Sequence, residues 1–136
     1  MINAYAPTVN YERAERVEFF DRVKASVVAC GGRGPTILVG DMNARIGRAD
    51  EVVGRFNETE TNDNGSLFVK VLKTSMAALN GRNPCDRPEY TRQSVGLNAT
   101  QSVIDYVCVN KRDINNASIR VLGSSHGSDH NVVEAK

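Results

Sequence analysis

The sequence predicts an α/β domain in which two helices pack on one face of a β-sheet. Two stretches of helical periodicity, 11–30 and 66–80, and two apolar runs rich in β-branched residues, 36–39 and 102–110, carry this prediction. A chain of 136 residues is long enough for one such domain with its own core. No internal repeat or linker divides it, so we expect a single domain over residues 1–136.

Composition and charge exclude several classes of protein. The net charge of +1 gives no global basic field typical of nucleic-acid binders, so any phosphate site must be local. The three cysteines are an odd number at unrelated spacings, and the first residues do not form a secretory signal. We therefore expect reduced thiols and an intracellular protein. Since no apolar run approaches the length of a membrane span, we expect no membrane association.

The first part of the chain predicts a strand followed by a helix. Ile2–Ala6 alternates weakly and ends at Pro7, as an edge strand or strand end does. Thr8 or Asn10 can cap a helix over Tyr11–Cys30, which the glycines after it would end. The polar positions expected on its solvent face are Glu12, Arg16, Asp21 and Lys24.

The run Thr36–Val39 suits a strand buried on both faces, and we expect Gly40 to end it. Asp41 and Asn43 would then lie on the loop that follows. α/β proteins place polar catalytic groups on loops at the carboxyl ends of strands, although Asp and Asn also simply shape turns. Both interpretations stand at this point.

A second helix is predicted over Ser66–Asn80, with N-caps available in the preceding residues and Gly81 as its C′ residue. The remaining predicted strands are Glu89–Gln93, Ser102–Asn110, Ser118–Leu122 and Asn131–Ala135.

The strand Ser102–Asn110 is apolar on both faces, so it should be covered on both sides. Asp105 lies within it, where a lone carboxylate is costly unless it is hydrogen-bonded. Loop amides could satisfy it, or it could orient a histidine, and the chain offers only His126 and His130. The spacing of these two histidines suggests zinc only weakly, because a third His or Cys ligand is missing nearby.

Four short motifs occur in one order along the chain. They are N-x-Y-x-P (Asn3, Tyr5, Pro7), G-D-x-N-A (Gly40, Asp41, Asn43, Ala44), S-x-I-D-Y (Ser102, Ile104, Asp105, Tyr106) and S-D-H (Ser128, Asp129, His130). Together they resemble the endonuclease/exonuclease/phosphatase superfamily over nearly the whole chain. The helix start at Asn64-Gly65 looks most like the endonuclease domains of non-LTR retrotransposons and their domesticated relatives.

The resemblance implies a divalent-metal-dependent phosphodiester hydrolase acting on DNA or another phosphodiester. It implies that Asp41 positions and deprotonates the attacking water, and that Asn43 holds the phosphate. His130 would donate to a non-bridging phosphate oxygen, with Asp105 fixing its tautomer and keeping it charged. These residues would form the catalytic set together with Tyr5.

The resemblance also implies the metal and substrate contacts. Asp129 would contribute to a site for Mg²⁺ or Mn²⁺, which prefer hard oxygen ligands. Asn3 and Tyr5 would complete the phosphate pocket beside Asn43 and His130. Arg45, Arg48, Arg87 and Arg92 could contact a nucleic-acid backbone or could simply be solvated charges.

The chain departs from the family pattern at its start, because Met1 lies two residues before Asn3. Family members carry an upstream segment that supplies a metal-binding Glu. We therefore expect a truncated domain that lacks the N-terminal half of a four-layer α/β/β/α sandwich. It would retain one mixed, mostly antiparallel sheet with two helices on one face. Weak metal binding and slow or absent hydrolysis would follow.

An uncovered apolar sheet face favours self-association, so we expect a homodimer that packs sheet on sheet. Two alternatives to an active enzyme remain open. One is an inactive half-domain that serves as a dimerising or interaction module. The other is a split enzyme whose second half is supplied by another chain.

Overall fold

The computed structural model of the chain describes residues 1–31, 33–49, 51–124 and 127–136. Its elements, in order, are β1 (Ile2–Asn3), α1 (Arg13–Gly31), β2 (Ile37–Asp41), α2 (Asp63–Ser75), β3 (Met76–Ala78), β4 (Arg92–Gln93), β5 (Gln101–Ser102), β6 (Asp105–Asn110), a 3₁₀ helix (Lys111–Asn116), β7 (Ile119–Ser124) and β8 (Asn131–Ala135). Within those ranges no helix is both long and apolar enough to cross a membrane. Cys30, Cys85 and Cys108 form no disulfide with one another in this structure.

The main sheet has the strand order β1-β2-β6-β3. β1 runs parallel to β2, while β6 is antiparallel to both β2 and β3. Two further antiparallel pairs are β4 with β5 and β7 with β8. The predicted α/β class with a mixed, mostly antiparallel sheet is confirmed.

One face of the main sheet is covered by α1 and α2. A line of aromatic contacts runs from Phe20 of α1 to Phe68 of α2, at 6.0 Å between ring centroids, and on to Tyr106 of β6, at 5.3 Å. Aromatic pairs of this kind add about 0.5–1.5 kcal/mol each beyond the area they bury. This line of rings ties both helices to the centre of the sheet.

The other face of the sheet meets the β7–β8 pair. Ile119 of β7 is buried against Val107 and Val109 of β6, and Val133 of β8 packs at the margin of this second cluster. The prediction that β6 is buried on both faces is therefore confirmed, and its second face contacts strands. Dimerisation through this face stays a prediction.

The second helix differs from its prediction at both ends. Asn62 is its N-cap and accepts a hydrogen bond from the Gly65 amide, so α2 begins at Asp63 and not at Ser66. It ends at Ser75, and Met76–Ala78 forms β3 against β6. The predicted extension to Asn80, with Gly81 as C′ residue, is wrong because all three residues of β3 are buried in the sheet.

The G-D-x-N-A motif begins within a strand, because both Gly40 and Asp41 belong to β2. Gly40 has a φ of 138°, and a Cβ at this position would lie 1.8 Å from the carbonyl oxygen of Ala4. Only glycine therefore lets the N-terminal segment run this close to β2. The prediction that Gly40 ends the strand is wrong, since β2 continues through Asp41.

The long predicted strand Ser102–Asn110 is divided between two sheets, with Val103 and Ile104 between β5 and β6. Side chains replace sheet partners at the break. The Val103 amide donates to the buried carboxylate of Glu58, and the Ile104 amide donates to the hydroxyl of Thr91. A continuous strand was therefore the wrong prediction at these two residues.

The first helix begins at Arg13 and not at Tyr11. Arg16, which was expected on its solvent face, is only 7% exposed. Its guanidinium lies against the start of α2, where it contacts Asp63 and Asn64. That expectation was wrong because helical periodicity does not reveal a polar partner far along the chain.

Candidate active site at the end of the main sheet

The candidate site lies where β2 ends and β6 begins. Asp41 and Asp105 are directly opposite each other in the antiparallel register. Residues in such a pair project from the same face of the sheet. The fold therefore places the carboxylates of two separate sequence motifs side by side.

Asp41 is half-buried, and its Oδ1 accepts a hydrogen bond from the Asn43 amide at 2.8 Å. Burial raises the pKa of Asp41, and the nearby charge of Asp105 raises it further. The Asn43 amide and the neighbouring His130 and Arg92 side chains lower the pKa of Asp41 in part. A carboxylate with a raised pKa is better able to accept a proton than an ordinary one.

His130 is paired with Asp105. Its Nδ1 lies 3.0 and 3.2 Å from the two carboxylate oxygens. Because a carboxylate only accepts, Nδ1 must carry the hydrogen, which leaves Nε2 as the nitrogen that can meet a ligand. The Asp105 amide donates to the Thr91 hydroxyl, and the His130 amide donates to the Ser128 hydroxyl.

Asp41, Asp105 and His130 also form a possible metal site. One ligand atom from each lies within 4.8 Å of the others. Mg²⁺ in proteins is usually held by one or two carboxylates and keeps several of its waters. The two carboxylates fit a hard divalent cation, while Nδ1 of His130 is engaged by Asp105.

Asn43 lies beside Asp41 with its backbone in the left-handed region, at φ 44°. Its side-chain Nδ2 donates to the Ala6 carbonyl at 2.8 Å. This contact joins the loop after β2 to the segment that follows β1. Asparagine tolerates this backbone conformation better than most residues.

The N-terminal motif runs along β2. The amides of Ala4 and Ala6 donate to the carbonyls of Val39 and Asp41, which extends the pairing beyond β1. Asn3 and Tyr5 alternate with these residues and are exposed, Tyr5 by 73%. Among the described residues, neither side chain hydrogen-bonds to the Asp41–Asp105–His130 cluster.

Asp129, the metal ligand that the resemblance implies, contacts an arginine in this structure. Both Nε and Nη2 of Arg92 lie 2.8 Å from Oδ2 of Asp129. The Arg92 hydrogen bonds hold the pKa of Asp129 below its usual value. Asp129 is adjacent to the Asp41–Asp105–His130 cluster but outside it.

Thr91 and Arg92 make contacts near the site that the sequence did not predict. Thr91 is fully buried, and its hydroxyl accepts hydrogen bonds from the amides of both Ile104 and Asp105. Arg92 was weighed only as a backbone contact or a solvated charge. A short strand of mixed polarity gives no signal for either contact. The second histidine of the weak zinc interpretation, His126, lies outside the described residues.

The family follows from the sequence profile. The profile of the Endonuclease/Exonuclease/phosphatase family matches residues 4–130. The chain belongs to this family. The resemblance drawn from the four motifs is therefore confirmed, whereas no curated protein matches the chain in sequence.

Solved structures of the endonuclease/exonuclease/phosphatase fold superpose on nearly the whole chain. The endonuclease domain of TRAS1, a telomere-specific non-LTR retrotransposon, is 20% identical with a TM-score of 0.63 and matches 97% of this chain. The 3′ phosphatase NExo from Neisseria, bound to a product DNA hairpin, is 17% identical with a TM-score of 0.73 over 98%. The catalytic domain of Xenopus laevis APE2 is 13% identical, with 0.65 over 98%.

These likenesses show a shared fold. The chain spans 54% of the TRAS1 domain, 59% of NExo and 48% of APE2, so it corresponds to about half of each structure.

Proposed function

We propose that these residues form one half of a divalent-metal-dependent phosphodiester hydrolase of the endonuclease type, with DNA as its substrate. The observation that carries the proposal is the convergence of Asp41, Asp105 and His130, whose ligand atoms lie within 4.8 Å of one another. Family membership supports the reaction class. An intracellular location and a single domain over residues 1–136 belong to the same proposal.

In the proposed reaction, a water attacks phosphorus while the Asp41 carboxylate accepts its proton. The bond from phosphorus to the leaving oxygen then breaks. Nε2 of His130 donates a hydrogen bond to a non-bridging phosphate oxygen, where negative charge develops. Asp105 accepts from Nδ1 and would stabilise the charged ring, in which Nε2 also carries a hydrogen. The Asn43 amide group binds the phosphate from the other side, with Asn3 and Tyr5 completing the pocket.

The resident metal would be Mg²⁺ or Mn²⁺. It would be held by the carboxylates of Asp41 and Asp105, and by Asp129 if that side chain leaves Arg92. When bound, it neutralises charge on the phosphoryl oxygens. Two or three carboxylates without further protein ligands predict weak binding.

DNA as the substrate is supported by two relatives. One similar structure is the endonuclease domain of the retrotransposon TRAS1, and the other is the phosphatase NExo bound to a product DNA hairpin. The near-neutral charge of the chain, +1, predicts few phosphate contacts and therefore a shallow dependence of binding on salt concentration.

Nicking of supercoiled plasmid with Mg²⁺ tests the proposal. Wild-type protein should convert it slowly to the open-circular form, and Asp41→Ala or His130→Ala should lower that rate at least about 100-fold. Asp21→Ala, an exposed position on α1, is the matched control and should leave the rate unchanged. Equal rates in the control and the two site variants, or no nicking by wild-type protein, would contradict an active hydrolase.

A non-catalytic interaction module is the second candidate, and one surface favours it. An open cleft of about 380 Å³ lies between β2 and β6 on one side and β8 on the other, and Val39, Val107 and Val133 are among its lining residues. Ile37, the first residue of β2, is 40% exposed. A homodimer, or a second chain that completes a split enzyme, would cover this surface.

Light scattering coupled to size-exclusion chromatography distinguishes a homodimer from a monomer. A dimeric wild type that Val39→Lys converts to a monomer supports the homodimer through this face. A stable monomer excludes the homodimer.

A further inference from the structure

Helix α2 begins with the Asn64-Gly65 pair, and the side chain of Asn64 is fully buried there. Its Nδ2 donates to the carbonyl of Pro7 at 2.8 Å and to that of Asn43 at 3.2 Å. Its Oδ1 accepts from Nη1 of Arg16 at 2.9 Å. One side chain therefore joins helix α1, the N-terminal segment and the loop after β2.

Arg16 fixes which way the Asn64 amide points. Arg16 is buried, and its guanidinium also donates to Asp63 at 2.7 Å and to the Tyr11 carbonyl at 3.1 Å. Because a guanidinium only donates, the atom of Asn64 that faces it must be the oxygen. The Asn64 NH₂ group must then face the two carbonyls, Pro7 and Asn43.

The Asn43 carbonyl accepts from a second amide, since Nδ2 of Asn62 lies 3.1 Å from it. These two contacts hold a residue whose backbone is left-handed, at φ 44°. A conformation of this kind persists in a non-glycine residue when its surroundings stabilise it. Gly65 contributes as well, because a Cβ there would lie 1.9 Å from the Arg45 carbonyl oxygen. The glycine lets the loop that carries Asn43 lie against the helix start.

We propose that Asn64 is a positioning residue for the phosphate side of the site. It sets the position of Asn43 relative to Pro7, and hence relative to the segment that carries Asn3 and Tyr5. That Asn43, Asn3 and Tyr5 bind a phosphate rests on the proposed function. The positioning itself is a property of the folded chain and can be measured without catalysis.

The sharpest variant is Asn64→Asp, which has the same shape and keeps an acceptor for Arg16 but removes both N–H donors. Its matched control is Asn110→Asp. Asn110 is also buried, and its Oδ1 accepts from the Thr36 amide at the opposite end of the main sheet. Any effect of placing a carboxylate in the interior should appear in both variants.

The main readout is the backbone amide of Asn43 in ¹⁵N-labelled protein, because this amide donates to Asp41 at 2.8 Å. In Asn64→Asp its resonance should shift, and its hydrogen exchange should accelerate at least tenfold, while β6 amides stay protected. The Asn110→Asp control should leave Asn43 unchanged. An unchanged Asn43 amide in folded Asn64→Asp protein overturns the proposal.

Nicking provides the second readout. Asn64→Asp should lower the rate at least tenfold at a Tm equal to that of the control variant. Wild-type protein without nicking activity would count against the proposed hydrolase alone, since the Asn43 amide still decides whether Asn64 positions it. Normal nicking by Asn64→Asp would overturn the positioning role.

If Asn64→Asp does not fold, a double-mutant cycle of unfolding stability tests whether Asn64 positions Asn43. Asn64→Ser shortens the side chain, and its cost is measured as the shift of the urea midpoint. Glycine adopts a left-handed backbone freely, so the shift should be smaller when Asn43→Gly is already present. Equal shifts in both backgrounds overturn the proposal.

Discussion

Nδ1 of His130 lies 3.0 Å from a carboxylate oxygen of Asp105, across 25 residues of sequence. The two residues reach each other because β6 begins at Asp105 while His130 immediately precedes β8. Backbone contacts on both sides hold them, since the Asn131 amide donates to the Thr91 carbonyl and the Asp105 amide donates to the Thr91 hydroxyl. The pair is therefore built into the fold.

Asp105→Asn should lower the nicking rate at least about 100-fold with little change in KM. The asparagine amide can either accept from or donate to the imidazole, so the ring is no longer held in one tautomer. At a pH where the ring is neutral, the ¹⁵N spectrum of the histidine rings should show one tautomer for His130 in wild-type protein and a mixture in the variant. Asp21→Asn on α1 is the control. An unchanged ring spectrum would contradict the assigned pairing.

Asp41→Asn should raise the Tm of metal-free protein at pH 7 by a few degrees. The raised pKa of Asp41 means that the folded protein binds its proton more tightly than the unfolded chain does. Stability is therefore lost as the pH rises from 3.8, the ordinary value, through the folded pKa. Asparagine avoids this cost and keeps an oxygen for the Asn43 amide.

The pH dependence provides the check on that prediction. The difference in Tm between Asp41→Asn and wild-type protein should be largest at pH 7 and shrink as the pH falls toward 3.8. Millimolar Mg²⁺ should raise the Tm of wild-type protein only. A variant less stable than wild type at pH 7 would show that the ionised carboxylate stabilises the fold.

The sequence predicted the parts of the fold that depend on local pattern. β-branched runs gave the cores of β2 and β6, and a buried carboxylate in an apolar strand pointed to a partner for Asp105. It did not predict β3, because Met76 continues the helical periodicity of α2. Strand pairing with β6 outweighs helix propensity there, and that pairing is a long-range contact.

Polar contacts between distant residues were the second thing that local pattern could not reveal. Arg16 bonds Asn64 across 48 residues, and Arg92 bonds Asp129 across 37. Within its own segment, each of these polar side chains looks like an ordinary exposed residue. The four motifs named the candidate site residues, and the roles assigned to them stay predictions.

Tyr106→Phe should destabilise the protein by about 1–2 kcal/mol, with a Tm lower by about 4 °C. The buried hydroxyl lies 3.0 Å from the Ala44 carbonyl and 2.8 Å from the Val103 carbonyl. Burial raises the pKa of Tyr106 well above its usual value, so the hydroxyl remains a donor at every practical pH. Thermal unfolding measures the loss, with exposed Tyr11→Phe as the control. Equal Tm values in the two variants would contradict it.

Arg92→Met should raise the pKa of Asp129 toward its ordinary value of 3.8, because the Arg92 hydrogen bonds are the main cause of the lowered pKa. A ¹³C titration of the Asp129 carboxyl group measures this. In wild-type protein the pair stabilises the fold at neutral pH and loses that effect as the pH falls through the lowered pKa. Asp129 is partly exposed, so the Tm should barely change. Arg87→Met, at an exposed arginine, is the control.

The same Arg92 variant tests which carboxylates bind the metal. Arg92 holds Oδ2 of Asp129, so metal binding by Asp129 has to compete with an ion pair. Without that competitor, Mn²⁺ should broaden the Asp129 carboxyl signal at a lower concentration than in wild-type protein. Broadening confined to Asp41 and Asp105 in both proteins would remove Asp129 from the metal site. It would leave the two facing carboxylates of β2 and β6 as the metal ligands of the chain.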